Sequence, residues 1–209
     1  MATPLRGDAA DRPCPDMSAG AAPAGSGPPG STRSDRSLAL TPRWRARRLT
    51  EGERALCVEV FGPGLDLDRV RLWSCPPVGW TTRRPFVAGG MLWPGRSLIL
   101  YPPDGALADF AAPETPLRAQ GVFIHEMTHV WQSQRGMNLL TAKIRAGDKP
   151  ASYAYQLTQD CAWDGFNMEQ QAMIVEHAFV CRRGGRTPHP EEAYLAVLPF
   201  RPGDGASFG

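Results

Sequence analysis

The sequence predicts an α+β domain, and three observations support that fold class. A helical pattern over residues 116–135 carries two histidines, and a second helical pattern covers residues 168–182. Three short apolar runs at 69–73, 86–93 and 96–101 precede these helices and have the composition of strands. We therefore expect a small, mostly antiparallel sheet packed against the 116–135 helix, with the 168–182 helix crossing beneath it.

The chain divides by composition into a tail and a folded domain. Residues 1–40 are rich in Ala, Gly, Pro, Ser and Asp and contain almost no large apolar side chains, so we expect them to be disordered. Residues 41–209 are predicted to form one domain. The first helix should begin after Thr50, where Thr50 and Glu53 form a capping-box signature, and should run to Phe61 before Gly62.

The remaining elements are predicted from local patterns. Val70 and Leu72 alternate with arginines, as in a half-buried strand, and a Pro94-Gly95 turn joins the other two runs into a β-hairpin. Residues 153–157 form either a short strand or part of a loop over the cleft. Asn167 caps the 168–182 helix, and residues 190–198 form a last short helix.

The most informative segment is His125-Glu126-Met127-Thr128-His129, which has the H-E-x-x-H pattern of zinc metallopeptidases. Two histidines four residues apart lie on one helical face, so both imidazoles can reach one metal ion. Glu126 projects beside them, where it can contact a water on the metal. We therefore predict zinc as the cofactor, His125 and His129 as its ligands and Glu126 as the catalytic general base.

Signals at both ends and inside this helix agree with the assignment. Thr115 is the predicted N-cap with Pro116 after it, and Gly136 is the predicted stop. A buried stripe is predicted for Phe123, Met127 and Trp131. Since glycine costs about 1 kcal/mol inside a helix, Gly121 suggests that another segment crosses closely at that point.

A third zinc ligand must come from elsewhere, and Glu169 in the first turn of the second helix is the preferred candidate. Together with the two histidines it forms the His₂Glu set of thermolysin-type sites. Glu176 lies two turns away on nearly the same face, and His177 is close to it, so both stay open as alternatives. Glu176 is also a candidate to orient a ligand imidazole.

Bulk properties exclude several classes of protein. The net charge of +2 gives no support for nucleic-acid binding, even though arginine outnumbers lysine 21 to 2. The five cysteines are scattered without C-x-x-C spacing, so we expect reduced thiols. The chain has neither an apolar signal segment nor a run of about 18 apolar residues, which predicts a cytoplasmic protein without a membrane span, unless a dedicated machine exports it.

Several segments together resemble a known family. They are Leu49–Ala55, Val60–Gly62, Leu67–Arg71, the helix segment Phe123–Gln132, which includes H-E-M-T-H-V-W-Q, and Glu169-Gln170-Gln171-Ala172. They resemble the metallopeptidase core domain linked to bacterial contractile injection systems, and more closely the small Vgr-related proteins. The resemblance covers about residues 49–200 and implies a zincin-like fold, a peptidase activity and a role near a phage-tail-like secretion apparatus. The chain departs from the thermolysin pattern because Met173, rather than Asp, follows Glu169 by four positions.

The leading functional hypothesis is a zinc-dependent peptidase acting on a protein or peptide substrate. An extended substrate is expected to add to an open edge of the 97–101 strand, and Tyr153, Tyr155 and His177 are candidates to stabilise the oxyanion. The alternatives are a non-catalytic, zinc-stabilised adaptor and an exported effector of a contractile injection or type VI secretion apparatus. In these cases the partners include components of the secretion particle.

Overall fold

The computed structural model describes residues 38–75, 84–88, 95–147, 149–158 and 160–200. These residues form an α+β fold with one small sheet and five helices. The strands are β1 (Ala46–Arg47), β2 (Val70–Ser74), β3 (Phe86–Ala88) and β4 (Ser97–Tyr101). The helices are α1 (Glu51–Phe61), α2 (Leu117–Gln134), α3 (Leu139–Ala146), α4 (Met168–Arg182) and α5 (Glu191–Val197). The predicted disordered tail lies almost wholly outside the described residues.

The sheet is mixed, with strand order β1-β2-β4-β3. β3 pairs with β4 in antiparallel fashion, as expected. β1, which the sequence did not predict, pairs antiparallel with β2, but β2 and β4 run parallel. β4 is buried along its whole length. The prediction that β4 presents an open edge is therefore wrong, because β2 and β3 pair with it on both sides and β3 forms the edge of the described sheet.

The capping signals in the sequence predicted most of the helix boundaries correctly. Thr50 and Glu53 form the predicted capping box at the start of α1, and Gly62 ends that helix with a φ of 65°. Asn167 caps α4 and also forms a capping box, with Gln170. The predicted N-cap of α2 is wrong, however, since Pro116 occupies that position and the Thr115 hydroxyl instead donates to the carbonyl oxygen of Asp109.

One face of the sheet packs against α2 through a shared apolar core. Phe123 and Met127 are fully buried and Trp131 is 7% exposed, which confirms the predicted stripe. They pack with Val70 and Ile99 from the two central strands. This packing fixes the rotation of α2 about its own axis. The other side of α2, which carries the histidines, therefore faces α4.

The α2–α4 contact is close because of Gly121. A Cβ atom at this position would lie 3.1 Å from Cγ2 of Val180 and 3.3 Å from Cγ of Glu176. This confirms that another segment crosses at Gly121, and that segment is α4. Residues 153–157 form a loop rather than a strand.

Two further findings concern the cysteines and the length of the apolar helices. Of the described cysteines, Cys57 and Cys181 carry free thiols, as predicted for them. Within the described part of the chain, no helix has the length and apolar character needed to cross a bilayer.

Candidate metal centre

Three predicted ligands from two helices meet in the α2–α4 contact. His125 and His129 on α2 are 8% and 6% exposed, and Glu169 in the first turn of α4 is 2% exposed. Oε2 of Glu169 lies 3.4 Å from the Nε2 atoms of both histidines. One potential ligand atom from each residue lies within 4.8 Å of the others, so this group has the spacing to hold a metal ion.

Each histidine is oriented by a partner on its other ring nitrogen. Nδ1 of His125 lies 3.1 Å from Oε2 of Glu176, and Nδ1 of His129 lies 2.8 Å from Oε1 of Gln132. Both partners are acceptors, so each Nδ1 carries the hydrogen in the neutral ring and each Nε2 keeps its lone pair for a metal. Glu176 therefore lies behind His125, and it is not one of the three residues whose potential ligand atoms lie together.

Gln132 is part of a buried amide network that anchors His129. The side-chain NH₂ of Gln132 donates to Oε1 of Gln171 at 2.8 Å and to the carbonyl oxygen of Met168 at 3.1 Å. Gln171 in turn donates to the carbonyl oxygens of Trp163 and Phe166. This network connects the second histidine to the start of α4, which also carries Glu169.

Glu126 lies beside the cluster as a buried carboxylate. It is 5% exposed, and its Oε2 atom has no hydrogen-bond partner among the described residues. Burial raises the pKa of Glu126, and the Coulombic influence of the neighbouring imidazoles of His129 and His125 opposes that rise. A buried carboxylate oxygen without a donor is costly, and it would be satisfied by a water held at the three-residue cluster.

The electrostatics of the cluster favour a cation. Burial alone would lower the pKa of His125, but hydrogen bonds to Glu169 and Glu176 outweigh it and raise that pKa to about 10. Burial likewise raises the pKa of Glu169, whereas its contacts with the two histidines and Lys143 lower it well below the usual range. Positive charge is therefore stabilised at this point, and a His₂Glu donor set suits zinc.

Other candidates from the sequence lie away from the three ligand atoms. Nδ1 of His177 interacts with the hydroxyl of Tyr155, and the ring of Tyr155 lies 5.8 Å from that of His189. Tyr153 is nearer, since its hydroxyl accepts a hydrogen bond from Lys143, which also contacts Glu169. Of the three candidates to stabilise an oxyanion, Tyr153 thus has the most direct connection to the cluster.

Sequence reasoning missed three residues of the site: Lys143, Gln132 and Gln171. Gln132 had a usable signal, because it follows His129 by one helical turn on a helix expected to be buried. Lys143 had none, since it is brought to Glu169 only by the position of α3 against α4.

Comparisons with known proteins identify relatives of this domain. No family model matches the chain. The type VI secretion system spike protein VgrG2b of Pseudomonas aeruginosa is 36% identical over 142 residues, which are 64% of this chain and 13% of the length of that protein. The solved effector domain of Pseudomonas aeruginosa VgrG2b is 30% identical with a TM-score of 0.56, and the match covers 77% of this chain and 86% of that domain.

Proposed function

We propose that this chain, which belongs to the family of the VgrG2b effector domain, is an effector of a type VI secretion system that hydrolyses peptide bonds with a bound zinc ion. The effector part of the proposal rests on the comparisons. The zinc and peptidase parts rest on the geometry of the α2–α4 cluster, as does the assignment to a zincin-like fold.

The effector role has the more direct support. The solved relative is an effector domain, and the longer relative is a spike protein of the secretion system. This chain spans only 13% of the length of that spike protein. We propose that components of the secretion particle are its partners and that it is delivered by that particle.

The observation that carries the peptidase proposal is the Oε2 atom of Glu126, which has no hydrogen-bond partner among the described residues and lies beside three candidate ligands. Zinc bound by His125, His129 and Glu169 would lower the pKa of a bound water to about 7 and polarise a carbonyl group. Glu126 would take the proton from that water and pass it to the leaving amine. A purely structural metal site has no need of such a base.

The edge of the sheet suggests how an extended substrate would bind. β3 is the edge strand in the described sheet and packs against α2, the helix with the two histidines. Its antiparallel pairing with β4 uses one side of its backbone. We propose that a peptide adds as a strand to the other side of β3, since β4 has no open edge.

The test compares Glu126→Gln with His125→Ala in the full chain. Glu126→Gln is nearly isosteric and should keep one zinc per chain and the wild-type melting temperature, while hydrolysis falls by about 10²–10⁴-fold. His125→Ala should lose both zinc and activity. Zinc content by mass spectrometry is measured beside cleavage of a broad peptide library.

Two results would contradict the peptidase part of the proposal. A wild-type protein that holds zinc but cleaves no peptide in the library would favour the zinc-stabilised adaptor. If Glu126→Gln also kept every delivery and toxicity function of the wild type, the peptidase proposal would be rejected and the effector would act without catalysis.

A further inference from the structure

We propose that Lys143 is a positioning residue that restricts Glu169 to a single ligand oxygen. This inference rests on the proposed zinc site and adds a role for a residue outside the H-E-x-x-H helix. It concerns how Glu169 presents its carboxylate, and not whether it belongs to the ligand set.

The two oxygens of Glu169 have different partners. Oε1 lies 2.7 Å from Nζ of Lys143, at the distance of a charge-assisted hydrogen bond. Oε2 lies 3.4 Å from Nε2 of His125 and 3.4 Å from Nε2 of His129. The ammonium group thus holds one oxygen on the α3 side, and the other oxygen faces the two imidazoles.

The position of Lys143 is itself fixed. α3 begins at a side-chain cap from Asn138, and the ammonium group of Lys143 donates a second hydrogen bond to the Tyr153 hydroxyl at 3.0 Å. Glu169 is almost fully buried while Lys143 keeps part of its surface in solvent. A long side chain anchored at both Glu169 and Tyr153 has little freedom to release the carboxylate oxygen.

Single-oxygen ligation matters because a catalytic zinc site combines three protein ligands with one open position for water or substrate. A carboxylate that offered both oxygens would supply a fourth protein donor atom and compete for that position. By engaging Oε1, Lys143 leaves one oxygen for the metal and keeps the remaining position accessible. The same contact offsets part of the negative charge that Glu126, Glu169 and Glu176 bring to the site.

The test uses zinc-loaded full-length protein with three variants: Lys143→Met, Lys143→Arg and Arg145→Met. Arg145 is an exposed cation on the same helix, so its variant controls for the loss of one positive charge. Crystal structures of the zinc-loaded proteins give the two distances from zinc to the Glu169 oxygens. Titration with acetohydroxamate, which needs an accessible metal position, gives an independent readout without substrate.

In wild type, Lys143→Arg and Arg145→Met, we expect one Glu169 oxygen at a zinc–oxygen distance of about 2.0–2.2 Å and the other near the cation or beyond bonding distance. In Lys143→Met, both oxygens should approach the metal and acetohydroxamate should bind at least tenfold more weakly, while zinc content is retained. Single-oxygen ligation and unchanged acetohydroxamate affinity in Lys143→Met would overturn the role of Lys143 and leave the peptidase proposal standing. A wild-type protein that does not bind zinc would overturn both.

Discussion

The Nδ1 atom of His125 on α2 lies 3.1 Å from Oε2 of Glu176 on α4, on the side of the ring opposite Glu169. Glu169 and Glu176 are two turns apart on the same helix face, and the imidazole lies between their carboxylates. One carboxylate is therefore placed to share a metal with His125, and the other to orient its ring. The sequence offered both as possible ligands, and this relationship separates their roles.

The first prediction follows from that separation. Glu169→Ala should lose most of the bound zinc, because it removes a donor atom. Glu176→Gln should weaken zinc binding by about 10–100-fold, as expected for a residue behind a ligand histidine. Competition with a zinc-binding dye measures both affinities. Glu192→Gln, an exposed change on α5, is the control, and a larger loss in Glu176→Gln than in Glu169→Ala would reverse the assignment.

The second prediction concerns the amide network behind His129. Gln132→Leu should weaken zinc binding by about 10–100-fold and reduce the free energy of unfolding by about 1–3 kcal/mol, because buried polar groups lose their partners. Gln134→Leu is the matched control, since Gln134 also makes two hydrogen bonds, to the backbone of Asp66, but at an exposed position. Equal effects of the two changes on zinc affinity would show that the network does not support the ligand.

The third prediction tests the close helix crossing. Gly121→Leu should push α4 away from α2, because even a Cβ atom there would lie 3.1 Å from Val180. Overpacking of this kind typically costs about 1–3 kcal/mol, and zinc affinity should fall because Glu169 moves away from the histidines. Arg118→Leu, an exposed change on the same helix, should alter neither quantity. Urea denaturation and zinc titration provide the measurements, and a wild-type zinc affinity in Gly121→Leu would contradict the expected helix movement.

The fourth prediction concerns stability away from the metal centre. Glu53 is fully buried and forms two hydrogen bonds with the guanidinium of Arg47, at 2.7 Å and 2.6 Å. Arg47→Ala should reduce the free energy of unfolding by about 3–5 kcal/mol, because it leaves a buried carboxylate without its cation. Arg54→Ala, which breaks an exposed pair with Asp68, should cost less than about 1 kcal/mol. Similar losses in urea denaturation would mean that the Arg47 pair contributes no more than a surface pair.

Local chemistry made much of this domain predictable from the sequence. The spacing of His125 and His129 follows from helical periodicity alone, and it places both imidazoles on one face whatever the rest of the chain does. The capping box of Thr50 and Glu53 and the cap at Asn167 involve residues two or three positions apart, so they predicted the starts of α1 and α4. Gly121 even indicated that another segment passes close to α2, because a glycine inside a helix is costly without such a contact, and the structure shows that this segment is α4.

The tertiary structure decided what depends on distant parts of the chain. A run of apolar residues predicts a strand but not its neighbours, so the central position of β4 between β2 and β3 became known only from the sheet. Lys143 and Glu169 are 26 residues apart and have no shared periodicity, and their contact exists because α3 packs against α4. In the same way, Glu169 and Glu176 lie two turns apart on nearly the same face of α4. The crossing of α4 at Gly121 determines which of the two carboxylates faces both Nε2 atoms and which one lies behind His125. The positions of the carboxylates depend on the rotation and translation of one helix relative to the other, and no local sequence pattern encodes these.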